Sequence, residues 1–449
     1  MTGEVNRNRP IDVRHQAAIA DALLTWFDIH ARDLPWRREI PYRVRTDLRH
    51  RLKEFTEGHP YAERLTLRRD PYTVVVSELM LQQTQVSAVI PYYKRFMERF
   101  PTVEALAEGD ETDVLKLWEG LGYYRRARSL SALAKNVVEN YDGIIPPNKK
   151  MLLSLPGIGP YTAGAILSFA YDLPEPAVDG NVVRVFSRLD AEPHVRGDVK
   201  AMRSVAGRVR ELIPGDRAGD FNETLMDLGA TVCTPSSPEC SVCPLQSLCQ
   251  ACVLDAVDLF PVRKDSEERP VDKFSYVLLH RGDLVYVQRR AKGLLEGLYE
   301  FYPLDRAYGM EEEESFRKSL CQELRGERLA NALPDDISVR EGIGEYGDAS
   351  SCEVGCAELS GFDNADHSAL GGIVDGSASV NFVGDRRAVY SHRIWEVACW
   401  EVEFTARAEK YPNINADLTG EWVTLKELSE LPFPAVLVPW RDAFLARYR

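Results

Sequence analysis

Long apolar runs are missing from this 449-residue chain. No stretch reaches the roughly eighteen consecutive apolar residues of a membrane-spanning helix, so no membrane span is expected. The opening MTGEVNRNRP has no apolar core of the kind a secretory signal needs. A reducing, cytoplasmic setting is therefore expected, with the protein associated with the nucleoid if its partner is DNA. Cysteine is scarce at nine residues, and in such a setting disulfides are not expected. Positive charge is also in short supply: 55 Lys and Arg stand against 69 Asp and Glu, a net charge of −14. Taken alone that balance argues against a polyanionic partner, whose phosphates favour Lys and Arg. The deficit is uneven, however. Residues 1–260 hold 32 basic and 35 acidic side chains, a net of −3, which leaves −11 for the remainder. Because salt screens exposed charges beyond about 10 Å, a local basic face can still hold DNA, with modest affinity and strong salt sensitivity.

The chain is too long for one ordinary core, so two or more domains are expected. The most informative stretch is LPGIGPYTAGAILSFAYDLPEPAVDGNV, residues 155–182. Gly157 and Gly159 let the backbone turn sharply, and Pro160 suits the first turn of a helix over 161–170. A helix start of this kind presents free amides to a phosphate; an ordinary helical corner is the plainer reading of an isolated LPGIG. Asp179 follows at the end of an apolar segment, a lone carboxylate beside a phosphate-gripping hairpin. Upstream, residues 70–100 read as helical, and Glu78 sits inside the apolar run with Gln82 and Gln83 about one turn further on. A carboxylate on such a face needs a partner or a task. Between helical segments at 102–118 and 125–140, GLGYYRR (120–126) is either a loop that wedges into a base stack or a tyrosine pair packed on the core. Helical patterning resumes at 148–154, 198–213 and 220–232, after an earlier helix at 14–30. The charged segment 38–69 reads as a solvated insertion or an added contact to an anionic partner.

Cys233, Cys240, Cys243 and Cys249 give the spacing C-x6-C-x2-C-x5-C, with prolines at 235, 238 and 244. Four thiols this close in a reducing setting point to a metal centre. Zinc ribbons pair two short knuckles, whereas one compact loop fits a [4Fe–4S] cluster better. Cys252 is a fifth thiol nearby and leaves the fourth ligand open, with Cys249 the expected one.

With SELMLQQTQV (77–86), GLGYYRRAR (120–128), LPGIGPYTAGAI (155–166), AVDGNVVRV (177–185) and the cysteine loop in one order, the chain resembles the helix–hairpin–helix DNA glycosylases. Within them it is most similar to the adenine-removing MutY branch. The resemblance implies a mainly α N-terminal part, a six-helix barrel plus iron–sulfur domain, over residues 1–255. It implies a linker at 256–272 and an α+β Nudix-like domain at 273–449 that reads 8-oxoguanine. The implied reaction is hydrolysis of adenine from double-stranded DNA carrying A opposite 8-oxoguanine or G, by a monomer with one [4Fe–4S] cluster. Glu78 is then the acid acting at adenine N7, Asp179 the stabiliser or nucleophile, and Asn181 the group orienting water or Asp179. Arg37, Tyr161 and Glu223 line the adenine pocket; Gln83, Leu121 and Tyr123 fill the gap in the duplex. Gly157 and Gly159 grip phosphate, and QQT at 82–84, Thr84 included, is typical of the branch. The related endonuclease III branch carries a lysine where Tyr161 stands, and that amine attacks the sugar. Without it the covalent lyase route is closed.

In the second half, FSYVLLH (274–280) and DLVYVQRR (283–290) alternate like paired strands around Arg281-Gly282. GLLEGLYEFYPL (293–304) and WEVACWEVEF (395–404) continue a mixed pattern. No Nudix metal-binding helix is present, since the glutamates at 311–314 lie out of register, so no pyrophosphohydrolase activity is expected. Tyr390-Ser391-His392 resembles the branch's loop facing 8-oxoguanine, with Tyr in place of Phe. Residues 330–380, with Cys352 and Cys356, read as a loose insertion.

Overall fold

The computed structural model describes residues 13–38, 51–52, 66–195, 197–262, 268–325, 372–374, 378–390, 392–404 and 420–448. Most of the 38–69 and 330–380 insertions, Cys352, Cys356 and Ser391 lie outside the described residues. The chain divides into two compact units, Met1–Ser266 and Glu267–Arg449. Among the described residues no helix is long and apolar enough to cross a membrane.

The first unit is built from helices: α1 (Val13–His30), α2 (Pro71–Leu81), α3 (Val86–Arg99), α4 (Val103–Ala107), α5 (Glu111–Leu117), α6 (Arg125–Tyr141), α7 (Lys149–Ser154), α8 (Pro160–Ala165), α9 (Gly180–Leu189), α10 (Val199–Leu212), α11 (Ala218–Thr231) and α12 (Gln250–Val253). Local chemistry sets many of the starts. Asp70 caps α2 by accepting from the Tyr72 amide, with Pro71 at the first helical position. Asn148 caps α7 in the same way. The stretch 70–100, read from sequence as one helical run, is two helices. α2 ends at Leu81, and Gln83 takes the left-handed conformation at φ 58°. Gln82 is therefore the residue that closes the helix, and it still shares with Glu78 the side that lines a cleft. The helix expected over 161–170 also changes form, passing into a π-turn at Ile166–Ala170.

α2 is buried on nearly every side, from Val74 to Met80 without a break, so it has no solvent face and Glu78 has nowhere to escape. α1, α9, α10 and α11 share a second core, with Ile19, Leu23, Phe186, Val209 and Leu225 at its centre. A β-carbon at Gly164 of α8 would lie 2.1 Å from the Pro176 carbonyl oxygen. Only glycine admits that approach, and the strand-like segment so admitted ends at Asp179.

The second unit holds β1 (Val271–Arg281), β2 (Leu284–Arg289), β3 (Tyr299–Glu300), β4 (Tyr302–Leu304), α13 (Glu313–Arg325), β5 (Gly372–Val374), β6 (Ala378–Val389), β7 (Ile394–Phe404), β8 (Gly420–Thr424), α14 (Leu425–Glu430) and α15 (Val438–Ala446). The strands form one sheet in the order β3-β2-β1-β7-β6-β5, with β4 also on β1 and β8 on β2. β1 runs parallel to β7, from Val271 opposite Ile394 to His280 opposite Glu403; its neighbours β2 and β4 are antiparallel. The alternation read from sequence splits β1 between two cores. Tyr276 and Leu278 pack with Val397, Cys399 and Phe444, while Val277 and Leu279 pack with Trp400, Val402 and Phe316. A sheet covered on both faces explains why its central strands read as nearly continuous apolar runs.

The segment expected as a linker is partly structured. Arg188 donates to the carbonyls of Val257 and Phe260 at 3.2 and 3.0 Å, and the Val262 amide donates to His194 O at 2.9 Å. Residues 257–262 therefore belong to the helical unit.

Candidate active site and metal centre

A cleft of about 860 Å³ opens in the first unit, lined by residues far apart in sequence. Glu78 comes from α2, Tyr161 from α8, Asp179, Gly180 and Asn181 from the start of α9, and Glu223 and Met226 from α11. Arg37, Gln82, Gln83, Thr84, Gly157 and Gly159 complete much of the wall. Ten of the residues expected at the site thus meet in one place.

The Tyr161 hydroxyl donates to Glu78 Oε2 at 2.5 Å. Burial pushes the Glu78 carboxyl up to about 7. That value already includes the Tyr161 hydrogen bond, which lowers it, the upward push of Glu223 and Asp179, and the lowering by the nearby Arg37 charge. A carboxyl poised there can carry a proton at neutral pH and release it to a better base. Burial beside these carboxylates also holds the Tyr161 hydroxyl firmly protonated, its titration raised well above the usual range.

Asp179 is held differently. Its Oδ1 accepts from the amides of Asn181 and Val182, both at 2.8 Å, and Oδ2 accepts from Asn181 Nδ2 at 2.8 Å. Burial raises its pKa, and those three donors with Arg184 oppose the rise. It caps α9, so the positive end of that helix faces the anion. The two carboxyl groups of the cleft therefore differ in kind: one is proton-bearing in an apolar wall, the other is an oriented acceptor fixed by N–H groups.

A network of charges runs from the cleft wall into the interior. Glu223 accepts from both Arg69 Nη atoms at 2.6 and 2.8 Å and lies 2.9 Å from Arg37 Nε. Asp227, fully buried, takes two bonds from Arg37 at 2.7 and 2.8 Å and two from Arg32, from its Nε at 2.7 Å and its amide at 3.2 Å. Arg37 is therefore clamped between two carboxylates. Arg32, Arg69 and Asp227 were not singled out by sequence reasoning, because nothing in a local pattern marks a charge as buried. Arg203, Arg210 and Lys149 also line the cleft and were likewise missed.

The hairpin glycines differ in their reasons. Gly157 has φ 79°, and a β-carbon there would meet that of Ser129 at 2.7 Å, so the fold demands glycine. Gly159 has φ −100° with nothing within 4 Å of the same construction; the fold itself makes no such demand there. Leu121 and Tyr123 do not line the cleft. Leu121 is buried in the core, whereas Tyr123 is 42% exposed and left-handed at φ 52°, directly after the positive-φ glycines Gly120 and Gly122. In the second unit His392 is exposed, and Tyr390 packs on Trp395 with its amide bonded to Arg393 O.

Cys233, Cys240, Cys243 and Cys249 line a second, small cavity together with Arg188 and Cys252. Burial pushes the Cys243 thiol up to about 12, so a thiolate set here needs a bound cationic group to offset the burial. Among the described residues no three Cys, His, Asp or Glu side chains converge as ligands of a single ion must. Thiols spread around one cavity suit a multi-iron cluster, which takes each thiolate on a different iron, better than zinc with its sulfurs about 2.3 Å from one centre. Arg188 donates to Cys233 Sγ at 3.3 Å and to Thr234 O at 2.7 Å, and the Cys249 thiol donates to Arg188 O at 3.2 Å. Arg184 bonds Cys233 O at 2.8 Å and Asn181 Oδ1 at 2.9 Å. α9 thus carries Asp179 and Asn181 at its start and both arginines that grip the cysteine loop. It is buried all round from Val182 to Leu189, so these arginines must find partners inside the protein.

Residues 76–211 match the family of HhH-GPD superfamily base excision DNA repair proteins, and residues 233–249 match the iron-sulfur binding domain of endonuclease III. The adenine DNA glycosylase of Schizosaccharomyces pombe is 31% identical over 350 residues, covering 67% of this chain and 73% of its own. That of Buchnera aphidicola subsp. Baizongia pistaciae is 35% identical over 238 residues, covering 52% of this chain and 67% of its own. The rat protein is 43% identical over 241 residues, 54% of this chain, and the match spans 43% of the rat protein's length. An iron–sulfur cluster at the four cysteines agrees with both the matched domain and the cavity.

Proposed function

The chain belongs to the adenine DNA glycosylase family, and from that premise we propose that it hydrolyses the N-glycosidic bond of adenine opposite 8-oxoguanine or guanine in double-stranded DNA. The reading is carried by one observation: a carboxyl with a pKa near 7, bonded to the Tyr161 hydroxyl, lines the same cleft as a carboxylate fixed by three N–H donors.

The target adenine leaves the stack and enters the cleft. Glu78 gives its proton to adenine N7, so the base departs neutral rather than as an anion. The bonding electrons leave with the base and the sugar becomes oxocarbenium-like. The Tyr161 hydroxyl bonds to the Glu78 carboxylate so formed. Asp179, oriented by the α9 amides and Asn181, stabilises or traps the cation, and water adds at C1′ to give an abasic site, its proton returning to the Glu78 carboxylate. This is the division of labour of glycoside hydrolysis, with a nitrogen leaving group. Tyr161 has no amine to attack the sugar, so the strand stays intact. Gln83 and Tyr123 fill the space the base vacates; Lys149, Arg203 and Arg210 on the cleft wall offer charge to the phosphates.

The residues at the cysteine cavity fit one [4Fe–4S] cluster, which when bound fixes the 233–249 loop and moves no electrons in a hydrolysis. The second unit reads 8-oxoguanine in this proposal, through Tyr390, Ser391 and His392 on a Nudix-like sheet. A monomeric, cytoplasmic, nucleoid-associated enzyme completes it.

A duplex with one A opposite 8-oxoguanine tests the reading, with products resolved before and after hot alkali. Breaks only after alkali, lost in Glu78→Gln, are expected. Breaks before alkali that borohydride traps would place an amine nucleophile in the site and overturn the monofunctional assignment.

A further inference from the structure

Arg126 is buried, 7% exposed, yet among the described residues no carboxylate stands among its hydrogen-bond partners. All of them are backbone carbonyls and one hydroxyl, and they come from two loops. Nη1 lies 2.9, 2.7 and 2.5 Å from the carbonyl oxygens of Leu79, Met80 and Gln82. Nη2 donates to Thr84 Oγ1 at 3.1 Å and to Gly122 O at 3.0 Å, and Nε reaches Tyr123 O at 3.5 Å. The guanidinium also lies over the rings of Trp118 and Tyr123, 5.5 and 5.3 Å from their centroids. It closes the end of the helix that carries Glu78, taking carbonyls the helix leaves unpaired. With its other edge it holds the loop of Tyr123.

Both loops carry a residue in the left-handed conformation, Gln83 at φ 58° and Tyr123 at φ 52°, a state that costs free energy for any side chain but glycine. The restraint common to the two loops is the planar fork between them, with the Tyr123 ring also against the guanidinium.

We propose that Arg126 is a positioning residue that locks the Gln82–Thr84 turn and the Gly120–Tyr123 loop into one rigid wedge. Base extrusion, rather than bond cleavage, depends on it. The proposal rests on the glycosylase reading above, which gives the two loops a duplex to enter. A flexible wedge would lose part of its contact energy to ordering itself, and a stacked, paired base demands the most of that energy. Lysine keeps the charge but has one donor centre in place of the fork, so it serves one loop and releases the other.

The experiment compares single-turnover excision by the cluster-loaded protein on two duplexes, one with A paired opposite 8-oxoguanine and one with A unpaired in a single-nucleotide bulge. For R126K the paired rate falls at least about tenfold while the bulge rate stays within about threefold of the wild type, because the bulged base is already unstacked. A 2-aminopurine in place of the target adenine reports extrusion directly, and its fluorescence rise slows in the same variant. Equal losses on both duplexes would make Arg126 a merely structural residue, and equal rates would make it dispensable; either overturns the proposal. If R126K does not fold, R126Q takes its place, its planar amide reaching one loop and not both; the same asymmetric loss is then expected, and a symmetric loss, or none, refutes it. If the wild type cleaves neither duplex, the glycosylase reading fails and not this one.

Discussion

Replacing Tyr161 by Phe removes one hydroxyl and tests the acid assignment through its pH dependence. The hydroxyl donates to Glu78 Oε2 at 2.5 Å, and a bond to the ionised form lowers a carboxyl's pKa. Its removal therefore raises the pKa of Glu78 above the present value of about 7. A hydrogen bond to a charged group contributes about 1.5–3 kcal/mol, and one pKa unit is about 1.4 kcal/mol, so the rise is about one to two units. Glu78 must hold its proton to act as an acid. Excision is then flat below its pKa and falls as pH rises through it. In Tyr161→Phe the falling limb moves alkaline by about one to two units, and the plateau drops roughly ten- to hundredfold because the developing carboxylate has lost its donor. Single-turnover rates on A opposite 8-oxoguanine from pH 5 to 9 read both quantities. A limb that stays in place, or moves toward acid, would refute Glu78 as the titrating acid partnered by Tyr161.

Glu78→Gln should abolish excision yet stabilise the protein above neutral pH. The folded carboxyl titrates near 7 against an ordinary 4.5. Stability linked to it is thus fully present below about 4.5 and lost as pH rises through 7, on the order of 3 kcal/mol. Denaturant midpoints of variant and wild type at pH 5 and pH 8 check this, and an identical pH dependence would count against it. Asp179→Asn keeps a good helix cap, so melting should change by no more than about 1 kcal/mol, while excision falls at least about a hundredfold as a transition-state anion is lost. Retained excision with an unchanged melting point would remove Asp179 from the chemistry. Cys243→Ser should lower bound iron and sulfide and weaken DNA binding. Full iron content in that variant would exclude it as a ligand.

The sequence by itself determined what depends on neighbours a few residues apart. Gly157 turns sharply where the LPGIG pattern put it, and the helix expected at 148–154 starts at its Asn148 cap, because each satisfies a local backbone need. The strand alternation at 274–280 and the cysteine spacing were legible for the same reason: a period of two or a short loop needs no distant partner. The family motifs named Glu78, Tyr161 and Asp179, but not why they work together. Tyr161 and Glu78 are 83 positions apart, and only the fold sets one hydroxyl against the other's carboxyl. The break at 82–85 was hidden because Gln82-Gln83-Thr84-Gln85 holds no Gly or Pro to mark a turn; the guanidinium of Arg126, 44 residues on, bonds the Gln82 carbonyl there. Leu121 looked like a wedge beside two tyrosines and is core instead. Arg69, Arg184 and Arg188 carry no local mark of burial in the sequence and are buried ties. Tertiary structure decided these cases because burial is a property of what covers a residue. The same arginine is a solvated charge in water and a cross-brace once its only available partners are carbonyls and carboxylates inside the protein.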